Sequence, residues 1–209
     1  MNLYSLLKQY KLLKQYKAII YSFFLISTLA GCAAAGMVSS AVQVATSMAG
    51  IRKEAADPNA TKNVSLKIQA NQLLNSDAQK HSYALVVRIY HLKQSASFQQ
   101  AFYGVFLDAD KEKETFGMDV ISKKEITLIP GQAYNNVEKV NLAAESIGVV
   151  AFFQRPAASR WKLTFPVKNI EKEGLSLNLD GCSMIVLSGN TLEFGAAQQS
   201  TLKIPASCI

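Results

Sequence analysis

The stretch Val64-Ser65-Leu66-Lys67-Ile68-Gln69-Ala70, followed after a polar interval by Tyr83-Ala84-Leu85-Val86-Val87-Arg88-Ile89-Tyr90-His91-Leu92, decides the fold. In the first run every second residue is apolar, the period of a strand with one face on a core and one in water. The second run is dense in Val, Ile and Tyr, which suit the pleated surface of a sheet. Between them, Asn75 to His81 is polar and rich in turn-forming residues, so it reads as a connection.

Strand signals continue at Glu125–Ile129, Tyr134–Val140, Ile147–Phe153, Trp161–Val167, Leu175–Leu179, Ser183–Leu187 and Thr191–Phe194, with turns at Pro130-Gly131 and Ser188-Gly189-Asn190. Short strands spaced about ten residues apart belong to a sandwich or barrel, and we read a β-sandwich over residues 64–209. The period changes once. Phe98, Phe102, Val105 and Phe106 fall at i, i+4, i+7 and i+8, which predicts one inserted helix with a single apolar stripe. Ser97 and Gln100 have the spacing of a capping box at its start. The acidic run Asp108, Asp110, Glu112, Glu114 is interleaved with Lys111 and Lys113 and lacks the Gly and terminal Glu of a calcium loop. It reads as a solvated charged loop after the helix.

Upstream of the strands the chain changes character. The whole sequence carries a formal net charge of +7, yet Lys8, Lys11, Lys14 and Lys17 all precede residue 18 and no acidic residue occurs before Glu54. Beyond residue 31 the excess is only +3, with the cations scattered, which argues against nucleic acid as a partner. A basic start, an apolar run at Ala18–Leu29 and the small residues before Cys32 are the parts of a secretory signal over residues 1–31. The ending Leu29-Ala30-Gly31-Cys32 resembles a bacterial lipobox, in which the cysteine thiol is acylated and becomes the first residue. The small Ala30 and Gly31 let the backbone enter a peptidase. Two other readings stay open: a transmembrane helix, since Ala18 to Ile51 carries no charge, and a soluble periplasmic protein with an ordinary Cys32. Residues 32–63 are rich in Ala, Ser, Gly, Met and Thr and read as a lipidated N-terminus and tether.

With Cys32 lipidated, Cys182 and Cys208 remain as an even pair in an oxidising compartment. A disulfide is favoured on those grounds, against two unpaired small hydrophobes. Catalytic signals are absent from the sequence: no P-loop, His-Glu-x-x-His, Gly-x-Ser-x-Gly or Gly-x-Gly-x-x-Gly string occurs. His81 and His91 have no Cys or carboxylate at a ligand spacing, so we predict no metal, no cofactor and no enzyme activity. A β domain held at a membrane points to binding through loops or edges.

Several strings in order carry a resemblance: Val86-Val87-Arg88-Ile89-Tyr90-His91-Leu92, Phe98 through Phe106, Glu125-Ile126-Thr127-Leu128-Ile129-Pro130-Gly131-Gln132, Ile147 through Phe153, and Arg160-Trp161. Behind a lipobox, this order resembles the TssJ (SciN-like) lipoproteins of type VI secretion systems. The resemblance implies a transthyretin-like β-sandwich with an added helix. It implies anchoring at the periplasmic face of the outer membrane through acyl chains on Cys32. It also implies binding to the periplasmic C-terminal region of the inner-membrane protein TssM, through the loop between the first two strands. The counterpart of that loop here is Asn75, Ser76, Asp77, Ala78, Gln79 and Lys80. The alternative function is a periplasmic carrier or envelope-binding sandwich with a small-molecule pocket.

Overall fold

The computed structural model describes residues 57 to 208, apart from Pro58 and Ala196. The signal segment, Leu29, Ala30, Gly31, Cys32 and most of the tether lie outside the described residues.

Strand β1 (Thr61–Ala70) begins three residues earlier than the alternation of Val64, Leu66 and Ile68 suggested. Those residues and Ala70 are fully buried, while their neighbours face solvent. β1 pairs antiparallel with β4 (Ala133–Asn141) and parallel with β7 (Leu175–Leu179), which in turn pairs with β8 (Met184–Ser188). The second sheet centres on β2 (Leu85–Leu92) and β5 (Ser146–Ala151), flanked by β3 (Val120–Leu128) and β6 (Lys162–Pro166). The chain is thus a sandwich of two four-stranded sheets, ordered β4-β1-β7-β8 and β3-β2-β5-β6. Val87 and Ile89 point into the space between the sheets, as their alternation requires, and meet Leu66, Ile68, Val149 and Leu177 there.

β5 is buried along its whole length because it is covered on both faces. Ile147, Val149 and Ala151 face the other sheet. The opposite face, with Gly148 and Val150, lies under the insertion between β2 and β3. A strand covered on both faces reads as a continuous apolar run, which is what Ile147-Gly148-Val149-Val150-Ala151 is. Gly148 is needed there: a β carbon on it would meet the Phe98 ring at 2.5 Å.

The insertion differs from the single helix expected over Phe98–Phe106. It forms α1 (Ala96–Gln100), α2 (Tyr103–Phe106) and α3 (Ala109–Phe116), then a 3-10 turn at Gly117–Asp119. The cause of the break is Lys162. Its Nζ donates to the carbonyls of Phe98 at 2.7 Å, Gln99 at 2.8 Å and Ala101 at 2.7 Å. Those oxygens are the ones a continuing helix would need, so the ammonium group ends α1 and the chain turns to extended backbone at Ala101 and Phe102. Phe102, placed on the apolar stripe by its spacing, is instead 83% exposed. Phe98 and Phe106 stay buried, packed edge-on against Tyr90. The capping box is also absent. Ser95 takes the N-cap position, and the Ser97 hydroxyl donates to Asp119 instead.

Burial lowers the Lys162 pKa to about 8, against a smaller opposing pull from the Glu193 carboxylate, so the group remains charged at neutral pH. The rings of Phe98, Phe106 and Trp161 stand 5.2 to 5.6 Å from its nitrogen, within cation–π range.

The charged run after the insertion's second helix is likewise not a solvated loop. Asp108 caps α3, accepting from the backbone N–H groups of Asp110 and Lys111. Glu112 is buried, taking Arg88 Nη1 at 2.7 Å and Lys123 Nζ at 2.8 Å. Arg88 on β2 also grips Glu125 and the Phe106 carbonyl, so one guanidinium fastens the helices to the sheet. Thr191–Phe194, expected as a strand, is irregular but still covers the β6 edge. The Leu192 N–H donates to the Thr164 carbonyl, and Glu193 Oε2 accepts from the Thr164 N–H where a strand would offer a carbonyl. Burial raises the Glu193 pKa, and the Thr164 hydrogen bonds restrain the rise. Among the described residues no helix is long and apolar enough to cross a membrane.

Replacing Lys162 with Met takes the ammonium donor from the carbonyls of Phe98, Gln99 and Ala101. We expect unfolding free energy in urea to fall by about 2–4 kcal/mol, with amide exchange rising across residues 96–106. Unchanged stability would show that the ammonium does not hold the insertion.

Candidate functional site

The strand register gathers four connections at one end of the sandwich. Ala70 lies opposite Leu179, Gln69 opposite Ala133, Leu85 opposite Leu128 and Val87 opposite Ala151. The β1–β2, β3–β4, β5–β6 and β7–β8 loops therefore share that end. The first of these is the one that carries the candidate contact residues.

The β1–β2 loop is built from its buried residue outward. Asn75 adopts a left-handed backbone (φ 49°) and is buried, so its side chain supports the loop from within. Its Nδ2 donates to the Ala84 carbonyl at 3.0 Å, and its Oδ1 accepts from the Gln154 N–H at 2.8 Å. One amide thus ties the loop to the start of β2 and to the β5–β6 connection. Asn is the residue that tolerates this backbone and offers both a donor and an acceptor.

Asp77 organises the next turn. Its Oδ1 accepts from the N–H groups of Gln79 and His81, each at 2.9 Å. Its Oδ2 takes the His81 ring nitrogen and the Tyr83 hydroxyl, each at 3.0 Å. Desolvation alone would raise the carboxyl pKa, but the hydrogen bonds from His81 and Tyr83 outweigh it and hold the group at about 2. The same pairing raises the Tyr83 hydroxyl pKa, first through its hydrogen bond to Asp77. With both oxygens filled, Asp77 shapes the loop and has little capacity left for a partner. Ser76 and Asp77 are partly covered, while Ala78, Gln79 and Lys80 stand in solvent at the tip. Lys80 closes the turn with a left-handed backbone (φ 66°).

Cys182 and Cys208 are joined in a disulfide with Cα atoms 5.7 Å apart. It fixes the end of the chain beside the β7–β8 turn. Arg160, almost buried, holds the same tail by donating to the carbonyls of Thr201 and Ile204. Neither histidine meets a metal-ligand set: His81 contacts Asp77 and His91 contacts the Ser122 hydroxyl at 2.9 Å. Among the described residues no group of His, Cys, Asp and Glu could hold a metal ion. The sequence pointed to the loop but not to its surroundings. Arg155, Asp180 and Cys208, which line a recess beside it, come from distant segments with no shared local pattern.

The fold and the loop define a β-sandwich with one sheet capped by helices and a braced polar loop at one end. The family model of the type VI secretion lipoproteins (T6SS-SciN: VasD, EvfM, TssJ) matches residues 62–182, and the chain belongs to that family. A chain in a solved type VI membrane complex is similar at 26% identity, with a TM-score of 0.56 over 61% of this chain and 98% of that one. The type VI lipoprotein TssJ1 from Pseudomonas aeruginosa shares the fold at 21% identity, with a TM-score of 0.55 over 62% of this chain and 98% of its own. A chain in the structure described as the TssM C-terminal domain from EAEC matches at 27% identity, with a TM-score of 0.52 over 61% and 98% of the two chains. Among curated proteins none matches this chain.

Two outcomes follow for the loop end. Protonating Asp77 removes the acceptor for the Gln79 and His81 amides. Their protection from exchange should be complete above the ordinary carboxylate value of 3.8 and lost as the pH falls through about 2; in Asp77→Ala it should be lost at every pH. Protection unchanged in that variant would show that the carboxylate does not order the loop. Replacing both Cys182 and Cys208 with Ala opens a closure spanning 26 positions. Denaturant unfolding should lose about 3 kcal/mol, and a loss near zero would show the bridge to be without structural weight.

Proposed function

We propose that this chain is a non-enzymatic lipoprotein that anchors the type VI secretion membrane complex to the outer membrane by binding the periplasmic C-terminal region of a TssM-type protein. The family match over residues 62–182 carries the reading. The similarity to a chain of a solved type VI membrane complex supports it.

The physical division of labour is simple. Acylation of Cys32, behind Leu29-Ala30-Gly31, supplies the hold: each buried methylene contributes about 0.8 kcal/mol, and two or more chains give stable attachment. The residues between Cys32 and the start of β1 at Thr61 act as a tether. The domain supplies a docking surface that is already ordered before the partner arrives. The tip residues Ala78, Gln79 and Lys80 are free to make contacts, Ser76 and Asp77 border them, and Asn75 holds them in place. A loop pinned at both ends by backbone and side-chain hydrogen bonds pays little ordering entropy on association. The protein's place is then the periplasmic face of the outer membrane, with lipid and a protein as its two partners.

The test separates the two halves. Cys32→Ser should move the protein from the membrane to the soluble fraction and abolish secretion, while the domain stays folded and still captures the periplasmic region of the cognate TssM in vitro. Normal secretion by a demonstrably unacylated Cys32→Ser protein overturns anchoring. Failure of the wild-type protein to bind that TssM region overturns docking.

A further inference from the structure

The β1–β2 loop leans on a second structure at its end of the sandwich. The Ser76 N–H donates to the Gly181 carbonyl at 3.0 Å, and the Asn75 N–H to the Asp180 carbonyl at 3.4 Å, so the β7–β8 turn forms one wall beside the loop. The disulfide forms the next. A β carbon on Gly181 would lie 2.9 Å from Ser76 Oγ and 3.3 Å from Cys208 Sγ, so loop, turn and bridged tail converge on one glycine. They enclose a recess of about 390 Å³ whose lining includes Ser76, Lys80, Arg155, Asp180 and Cys208. That volume is of the size that receives a few side chains of a partner. The family match covers residues 62–182, and the tail carrying Cys208 lies beyond it.

The charges in the recess are not balanced in their availability. Among the described residues Lys80 and Arg155 take part in no ion pair. Of the two carboxylates, Asp77 has both oxygens filled by donors from its own loop. Asp180 is then the one lining carboxylate with open oxygens among the described residues. Two open cations face one open anion, and the guanidinium fork of Arg155 matches a carboxylate in two parallel hydrogen bonds. Leu73, half exposed on the rim, adds an apolar contact beside them.

We propose that the partner-binding surface is composite: the β1–β2 loop, Arg155 and the disulfide-held tail at Cys208 form one recess that receives a carboxylate-bearing side chain, with an apolar neighbour, from the periplasmic protein partner. This rests on the docking role proposed above and names the chemistry of the same end of the domain. Arg155 and Lys80 meet the partner's carboxylate. Cys208 is a positioning residue: its bridge to Cys182 holds the wall against which the loop sits.

The experiment uses the full-length acylated protein in detergent and the periplasmic C-terminal region of the cognate TssM, with Kd measured at low and moderate salt. Arg155→Glu and Lys80→Glu should each weaken binding about tenfold or more at low salt, with a smaller loss at higher salt. Asp180→Asn, which removes the opposing charge, should tighten binding about two- to threefold. Cys208→Ala should weaken binding several-fold while unfolding remains cooperative. Arg155 is exposed, so its variant tests the recess even where the cysteine variant loses its fold. Wild-type binding that survives both Arg155→Glu and Cys208→Ala unchanged overturns the composite recess and leaves the docking role standing. Tighter binding by Arg155→Glu overturns the carboxylate assignment. Absence of binding by the wild type overturns the recess and the docking role together.

Discussion

One ammonium group sets the third layer of this protein. Lys162 rises from β6 into the space under the insertion and donates to three backbone carbonyls where α1 ends. A charge buried there is stabilised only because it is fully hydrogen-bonded and ringed by aromatic faces. In return, the last turn of a very short helix has its orphan acceptors satisfied. The arrangement fixes where α1 stops, which sends Phe102 outward and lets Phe98 settle on Gly148. The second apolar cluster, with Tyr90, Phe98, Phe106, Phe116 and Val150, assembles around that point. Arg88 and Glu112 repeat the device on the other side of the insertion, joining helix to sheet by a buried pair.

The sandwich was legible because its signal is local. Val64, Leu66, Ile68 and Ala70 announce their face within seven residues, and the doubly covered β5 announces itself as an unbroken apolar run. The insertion was legible only as helical. Its stripe of Phe98, Phe102, Val105 and Phe106 is a sound local pattern, overruled by a lysine some sixty residues further on. The run Asp108–Glu114 failed for the same reason: nothing near Glu112 in sequence shows that Arg88 waits to bury it. At the loop end, the polar connection could be read as a loop. Its division into an inward Asn75 and an outward Ala78–Lys80 depends on Gln154 and Ala84, which sequence distance hides.

Polar loops usually owe their shape to whatever they bind. This one owes it to Asn75 and Asp77, which between them satisfy donors and acceptors of their own chain before any partner is present. A rigid scaffold with a shaped loop is how a small sandwich presents a surface. The sheets provide the rigidity, and the bridged tail braces the same end.

The order of strands has a consequence for when the domain can form. β1 and β2, the first to be made, are interior strands of their sheets, and their partners come much later: Leu66 waits for Leu175, and Ile89 for Val149. Until β5 and β7 arrive, the opening third of the domain has no complete core to fall into, and closing such distant contacts is slow. The same delay leaves the β1 and β2 edges unpaired in the meantime, so the window in which they could pair wrongly is set by the position of two strands.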